Sequence, residues 1–317
     1  MRREFLTYFD INYASCGMAL VESLFHWCED VRVTILGLDE ATLDIVSAEM
    51  GDRVAIVTCA DLAAYEPALL PLRTARTPWE FYATQKPVFI DRALRKLQDD
   101  ALVTYTDADT FFFSDPSPIF AEATTASIVI SPHRFNAATA HLAVHGRYNA
   151  GFGLWRNDVC GRQCLRDWTR ACLAWCYARV EEDGRFMNQG YLNAWPVQYE
   201  KARILSHPGA NLAPWNVGTH RLKRGAHGVL VDGVPLIFYH FANLSRNAAG
   251  EWQTYDQGKA IRQAVLHKAV YGPYIMAVEA MARRLKSRYG VEGLGSVRTV
   301  DARIPQITFQ RMLFGRR

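Results

Sequence analysis

No stretch of this chain approaches the roughly 20 consecutive apolar residues that a helix needs to cross a bilayer, so a helical membrane-spanning protein is excluded. The opening segment, MRREFLTYFD, runs directly into a strand pattern without the apolar core of a signal peptide, and the expected location is the cytoplasm. Strong charge is missing as well: 36 Lys and Arg against 32 Asp and Glu give a net charge of +4. No Lys/Arg stripe interleaved with stacking aromatics runs through the main body, so no nucleic-acid partner is expected. A disulfide framework is absent too, because the 317 residues hold seven cysteines, an odd number that reads as reduced thiols. Cys160, Cys164, Cys172 and Cys176 fall at intervals of four and eight. On a helix expected over 158–178 they join Trp168 in one apolar stripe, and thiols on one helix face cannot wrap a tetrahedral ion, so they read as core. Internal repeats, low-complexity tracts and obvious linkers are also missing.

What is present is alternation. EFLTYFD, ASCGMALVESLFHW, VRVTILGL, a helix over 39–50 and RVAIVTCA follow one another, which predicts an α/β fold with a sheet flanked by helices. A helix over 78–97, bent at Pro87, delivers the chain to the strand ALVTYT. The second half is less regular: SIVISPH and YNAGFGLW read as strands, and VDGVPLIFYHF as a hairpin whose second strand ends at His240. From Tyr255 onward helices are expected. The organisation is a catalytic domain over 1–255 and a basic helical extension over 256–317.

The stretch VTYTDADTFFFSDP ends a buried strand with two like charges, Asp107 and Asp109, beside Phe111, Phe112 and Phe113. Unpaired, such carboxylates repel each other and are costly to desolvate, so a cation is missing from the sequence itself. In an extended backbone both aspartates point to one face and Ala108 to the other. They stand at the C-terminal end of a strand, where open α/β sheets bind ligands. Two such oxygen ligands suit a hard divalent cation, and a histidine as third ligand moves the preference toward Mn2+ without excluding Mg2+. His240 is the candidate, since PLIFYH ends an apolar strand as the aspartates do. His141 and His145, in HLAVH, have Leu142 where a zinc protease needs Glu.

The ordered segments VTYTDADTFFFSDPSPIF, YFDINY, WEFYATQKPVFIDRAL, YNAGFGLWRND, MNQGYLNAWP, NLAPWN and LIFYHFANLSR resemble the nucleotide-sugar glycosyltransferases of the GT-A fold, a Rossmann-like mixed sheet. They look most like glycosyltransferase family 8 and related bacterial polysaccharide transferases. The resemblance implies a metal-dependent transferase moving a sugar from a nucleoside-diphosphate donor, a UDP-sugar, to a glycan or lipid-linked acceptor, with retention. It implies that Asp107, Asp109 and His240 bind the metal, that Tyr8, Asp10 and Tyr13 hold the nucleotide, and that Ala108, Asn149, Gly151 and Asn188 line the donor. Gly151 alternatively serves a bulge. Where family members often carry Asp-Gln, this chain has Asn188-Gln189; Asn cannot be a carboxylate nucleophile, and Gln189 keeps a carbonyl oxygen to face the anomeric carbon as the catalytic group beside Asp109. Arg246 stands near the position of a family lysine that neutralises the diphosphate. Lys86 is the other basic candidate, with a solvated helix face as its simpler reading. Trp215 and Asn216, in NLAPWN, are expected on an exposed loop that meets the acceptor.

Other readings compete with this one. A haloacid-dehalogenase-type phosphatase also uses D-x-D but needs Thr or Val where Phe111 stands, and a sugar-nucleotide-binding protein without activity would not need Asp107, Asp109 and His240 intact. In the extension, Tyr274, Val278, Met281, Leu285 and Tyr289 recur at helical spacing among Arg283, Arg284, Lys286 and Arg288. Either that stripe packs on the catalytic domain, or the basic helix makes a peripheral contact with an anionic membrane at the inner face of the cytoplasmic membrane.

Overall fold

The N-terminal alternation builds one half of a sheet in strict parallel register. In the computed structural model, which describes residues 2–247, 250–255, 264–291, 293 and 306–308, β1 (Arg3–Phe9) leads through α1 (Ala14–Trp27) to β2 (Val31–Gly37), and α2 (Glu40–Met50) leads to β3 (Val54–Thr58). Helix starts follow side-chain chemistry. Asp39 accepts the Thr42 N–H at 2.8 Å to begin α2, and Thr58 and Asp61 form a reciprocal capping box at α3 (Cys59–Tyr65). After α4 (Leu69–Ala75), a second box, Thr77 with Glu80, and Pro78 in the first turn start α5 (Pro78–Leu94), which continues through Pro87.

The chain then enters β4 (Leu102–Thr106), turns into β5 (Thr110–Phe112), and passes α6 (Ser117–Glu122) to β6 (Ile128–Pro132) and β7 (Tyr148–Arg156). Next come α7 (Val159–Ala174), α8 (Trp195–Gln198) and β8 (Ala202–Ile204). The seven-stranded sheet is ordered β3-β2-β1-β4-β7-β6-β8. Only β7 runs against its neighbours. β4 is central, with Val103 to Thr106 all buried, so Thr104 and Thr106 are enclosed together with Val103 and Tyr105. The helix carrying the cysteines ends at Ala174, short of the expected 178, yet Cys164, Cys172 and Cys176 are buried free thiols, as the stripe implied.

Beyond the sheet, β9 (Leu222–Gly225), β10 (Gly228–Val231) and β11 (Val234–Pro235) form a small meander. Its tight turn holds Asp232 at φ 51° and Gly233 at φ 94°, the left-handed pair that such hairpins require. The expected hairpin ending at His240 is corrected here. The β11 pairing stops at Pro235, and β12 (Phe238–His240) leaves to pair antiparallel with β5, setting His240 opposite Thr110. The reason is burial: Leu236 to Phe241 are all inside, so this strand needs partners on the sheet side rather than an exposed hairpin edge.

After β13 (Ser245–Arg246), β14 (Trp252–Tyr255) and α9 (Ala264–Leu266), α10 (Gly272–Tyr289) packs against α1, and β15 (Gln306–Thr308) pairs antiparallel with β14, a strand where only helices were expected. Its stripe faces inward. Tyr274, Val278 and Leu285 are buried, and Tyr274 stacks on Phe241 with ring centroids 3.8 Å apart. Arg284 and Arg288 pair with Glu49 of α2. The stripe thus packs on the catalytic domain, the first of its two readings, with its apolar side covered by Phe111 and Phe241. Arg298, Arg303, Arg311, Arg316 and Arg317 lie outside the described residues. A chain ended at Gly272 is expected to lose more than about 10 °C in melting temperature or to aggregate, having stripped this cover from Phe111 and Phe241. A thermal scan of the shortened chain that matches the full chain would show the helix to be dispensable.

Candidate active site

Asp107 and Asp109 lie in a turn between β4 and β5 rather than on an extended strand, which corrects the alternation argument. The Asp107 N–H donates to the Gly151 carbonyl at 2.8 Å, and the Asp107 carbonyl accepts from the Thr110 hydroxyl at 2.8 Å. The Asp109 carbonyl accepts the Phe241 N–H at 2.8 Å, tying the turn to the end of β12. The β5–β12 register therefore brings His240 to the pair. One ligand atom from each of Asp107, Asp109 and His240 lies within 4.8 Å of the others.

His240 Nε2 is 3.0 Å from Asp109 Oδ1. Burial works to raise the Asp109 carboxyl, but the adjoining imidazole in its charged form prevails and holds it below the usual carboxylate range. Conversely, burial works to lower His240, while Asp109 beside it raises the imidazole above its ordinary value. Among the described residues, His240 Nδ1 is buried without a hydrogen-bond partner. The donor set, two carboxylates and an imidazole converging on one point, fits a divalent cation of the Mn2+ or Mg2+ kind. Space for it depends on Gly151. A Cβ there would fall 2.6 Å from Asp107 Oδ2, 2.5 Å from Asn149 Oδ1 and 2.8 Å from His240 Cε1. Gly151 also sits in the bulge of β7, where the register against β6 jumps from Gly153 to Asn149, as its bulge reading has it.

Lys86 is not on a solvated helix face. It is buried in the middle of α5, with Nζ 2.9 Å from Asp107 Oδ1 and 3.0 Å from the Ala150 carbonyl. Its ammonium stands 4.5 Å from the Tyr105 ring centroid and 5.5 Å from that of Tyr8. Tyr105 donates its hydroxyl to the same Asp107 oxygen at 2.6 Å. Every residue from Ala83 to Asp91 is buried, and that uninterrupted burial explains why helical periodicity misplaced the lysine.

Two clefts meet at Asp107. The smaller, about 370 Å³, is lined by Tyr8, Asp10, Tyr13, Leu38, Tyr82 and the Asp107–Asp109 turn with Ala108. The larger, about 470 Å³, carries Lys86, His133, Asn149, Gly151, Asn188, Gln189, Trp215 and His240 among its walls. Asp10 caps the turn after β1 by accepting from the N–H groups of Asn12 and Tyr13. Asn149 Oδ1 accepts the Gly151 N–H at 2.7 Å, leaving its amide nitrogen to donate to His133 Nε2 at 3.2 Å. Burial pushes His133 down to about 3, so it is neutral.

The Gln189 oxygen is the group expected to face the anomeric carbon. It accepts the Ala150 N–H at 3.0 Å while Nε2 donates to the His145 carbonyl at 3.0 Å, so the amide clamps the cleft wall. Asn188 donates its side-chain nitrogen to the Ala83 carbonyl at 2.9 Å, again a structural bond on the cleft wall. Trp215 does line the cleft, but only 9% of it is exposed, with its ring edge-on to His240 at 5.2 Å. Asn216 is fully buried; it donates to the carbonyls of His133 and Asn211 and accepts from Ala213, so it cannot meet an acceptor. The exposed-loop expectation failed because Asn216 satisfies the loop's own backbone inside the protein. Arg246 does not line either cleft; it bonds to the Gly250 carbonyl at 3.0 Å and faces the Trp252 ring.

Trp79 and His133 were missed. Trp79, 64% exposed at the start of α5, borders both clefts, and an apolar ring kept at the solvent-facing start of a capped helix was the available signal. His133 follows the apolar run SIVISP much as His240 follows PLIFY.

No family profile matches the chain. It is similar to two proteins of Bacillus subtilis (strain 168), both described as uncharacterized. YfnF is 33% identical over 234 residues, 71% of this chain and 76% of that protein. YfnD is 27% identical over 274 residues, 86% of this chain and 87% of that protein. Among solved structures, the chain is similar to the galactosyltransferase LgtC in complex with donor and acceptor sugar analogs. The TM-score is 0.52 at 14% identity, over 87% of this chain and 95% of LgtC, a likeness of fold. The fold is the GT-A arrangement that the sequence led us to expect.

Proposed function

The chain belongs to the family of Bacillus subtilis YfnF and has the GT-A fold, and from that premise we propose that it is a metal-dependent glycosyltransferase. It takes a UDP-sugar as donor and a glycan or lipid-linked molecule as acceptor, and transfers with retention. The observation that carries this reading is the meeting of two clefts at a cluster of Asp107, Asp109 and His240. The smaller cleft, with the Tyr8, Asp10 and Tyr13 loop, suits the nucleoside; the larger suits the donor sugar and the acceptor. LgtC, on the same fold, holds donor and acceptor sugar analogs together.

Asp107, Asp109 and His240 would hold Mn2+ or Mg2+. When bound, the ion stabilises the negative charge that gathers on the diphosphate as its bond to the sugar breaks. The chain's own residues set the frame for this. Lys86 and Tyr105 both donate to Asp107 Oδ1, which fixes the carboxylate and leaves its other oxygen beside the space that Gly151 keeps open. Lys86 brings a buried ammonium to within 2.9 Å of Asp107 Oδ1, beside the departing group. The Gln189 amide braces Ala150 against the 145 loop, so the wall beside the donor sugar is held from two sides. Trp215 and His133 close that wall with buried rings, limiting water at the reacting carbon. Asn188 has no carboxylate to offer, which removes a covalent intermediate at that position.

A screen of nucleotide sugars with manganese, reading release of nucleoside diphosphate, tests the proposal. We expect one donor to be turned over and the activity to vanish with chelator; release from none of a broad panel would refute it. His240→Ala is expected to weaken Mn2+ binding by about 10- to 100-fold, and an unchanged manganese titration would return His240 to a packing role. Retention is checked by nuclear magnetic resonance of the first-formed product. The donor's anomeric configuration should be kept, and an inverted linkage would demand a carboxylate base on the acceptor side.

A further inference from the structure

We propose that a separate cavity behind the catalytic cleft binds a neutral sugar unit of the acceptor, away from the end that is glycosylated; this rests on the glycosyl-transfer reading. The cavity, about 290 Å³, lies between α7, the 183–195 segment and α8. That is the lower end of the size range of ligand pockets, room for one ring rather than for a nucleotide sugar.

Its chemistry is mixed in a particular way. Tyr191 offers a half-buried ring beside the half-buried Asp167 and the exposed Asn193 and Gln198, over a buried floor of Trp195 and Tyr199. A pyranose presents an apolar C–H face and a rim of hydroxyls, each both donor and acceptor, so one aromatic ring with amide and carboxylate edges matches it. Charge favours a neutral ligand. Asp183 is paired with Arg185 at 2.6 Å, and Asp167 accepts from the Tyr199 hydroxyl at 3.0 Å with Arg170 3.7 Å away, so the carboxylates are balanced within the protein.

The cavity shares a wall with the catalytic cleft. Trp168, which lines the cavity, donates its indole N–H to the Asn188 carbonyl at 2.8 Å, and the Asn188 residue lines the cleft. Gly190, on the cavity side, donates its N–H to the carbonyl of Phe186, on the cleft side, at 2.8 Å. One short segment, 186–191, therefore faces both spaces. With one segment lining both spaces, an oligosaccharide whose terminal unit enters the cleft would have this open, sugar-compatible groove as a further contact, which would favour extended acceptors over single sugars.

Saturation-transfer NMR with maltotetraose, cellotetraose and chitotetraose, run beside glucose and galactose, tests this on the full chain. We expect at least one tetrasaccharide to bind wild type, and Gln198→Ala and Ala194→Trp each to weaken it by about tenfold, the loss expected from one hydrogen bond or from filling the space. Both side chains are exposed, and release of nucleoside diphosphate from the donor should stay at the wild-type rate in both variants. Absence of tetrasaccharide binding to wild type would overturn the site, as would binding that neither variant weakens. Monosaccharides bound as tightly as tetrasaccharides would overturn the assignment to an acceptor chain. Saccharide binding without donor turnover would count against the transferase reading and leave the cavity assigned; donor turnover without saccharide binding would do the reverse.

Discussion

Asp109→Asn is expected to reduce release of nucleoside diphosphate by about two to three orders of magnitude in a manganese-saturated assay, while the protein keeps its fold. The substitution preserves volume and removes one charge from a cluster whose other carboxylate, Asp107, is already committed to Lys86 and Tyr105. Asp109 is thus the carboxylate whose nearest cation is a titratable group, His240 at 3.0 Å, which loses its proton when a metal takes its place. Several kcal/mol of charge stabilisation at the diphosphate are lost with the ion, which sets the scale of the effect. The fold should survive because the turn is held by backbone bonds from Gly151, Thr110 and Phe241 rather than by the carboxylate. Turnover within a few-fold of wild type would sink the role assigned to Asp109.

Lys86→Met should cost both stability and activity. Breaking a fully buried ion pair costs about 3–5 kcal/mol; here Asp107 is 27% exposed, so about 2–3 kcal/mol and a melting temperature lower by roughly 5–10 °C are expected. The Ala150 carbonyl also loses its donor. Turnover should drop about 10- to 100-fold, since Asp107 loses one of the two groups that orient it. Part of the lost melting temperature should return on adding Mn2+, because a bound cation again balances Asp107. A variant as stable as wild type without metal would place the ammonium in solvent after all.

The strand alternation, the seat of the Asp107 and Asp109 pair and the choice of His240 were legible because each depends on local pattern: an apolar run ending in a polar group at the edge of a sheet. The partner of that histidine was not. The turn chemistry at Asp232-Gly233 announces a hairpin, but only the burial of Leu236 to Phe241 decides that the next strand crosses to β5. Lys86 was misread for a related reason. Helical spacing assigns one face to solvent, whereas α5 is packed along its middle between α7 and the strands. At Trp215 and Asn216, Pro and Asn look like an exposed turn in sequence, yet the asparagine amide serves three backbone groups inside the protein. The apolar stripe of α10 could be read directly, whereas its cover, Phe111, Phe241 and α1, is long-range and could not.

The central claim is that the chain binds a nucleoside diphosphate through a divalent ion at Asp107, Asp109 and His240. Anomalous diffraction at the manganese edge, from crystals grown with Mn2+ and UDP, tests it most directly. The account predicts one strong peak among those three side chains, with the diphosphate against it and the uracil between Tyr8 and Tyr13. Manganese bound elsewhere, or UDP ordered away from that ion, would contradict it.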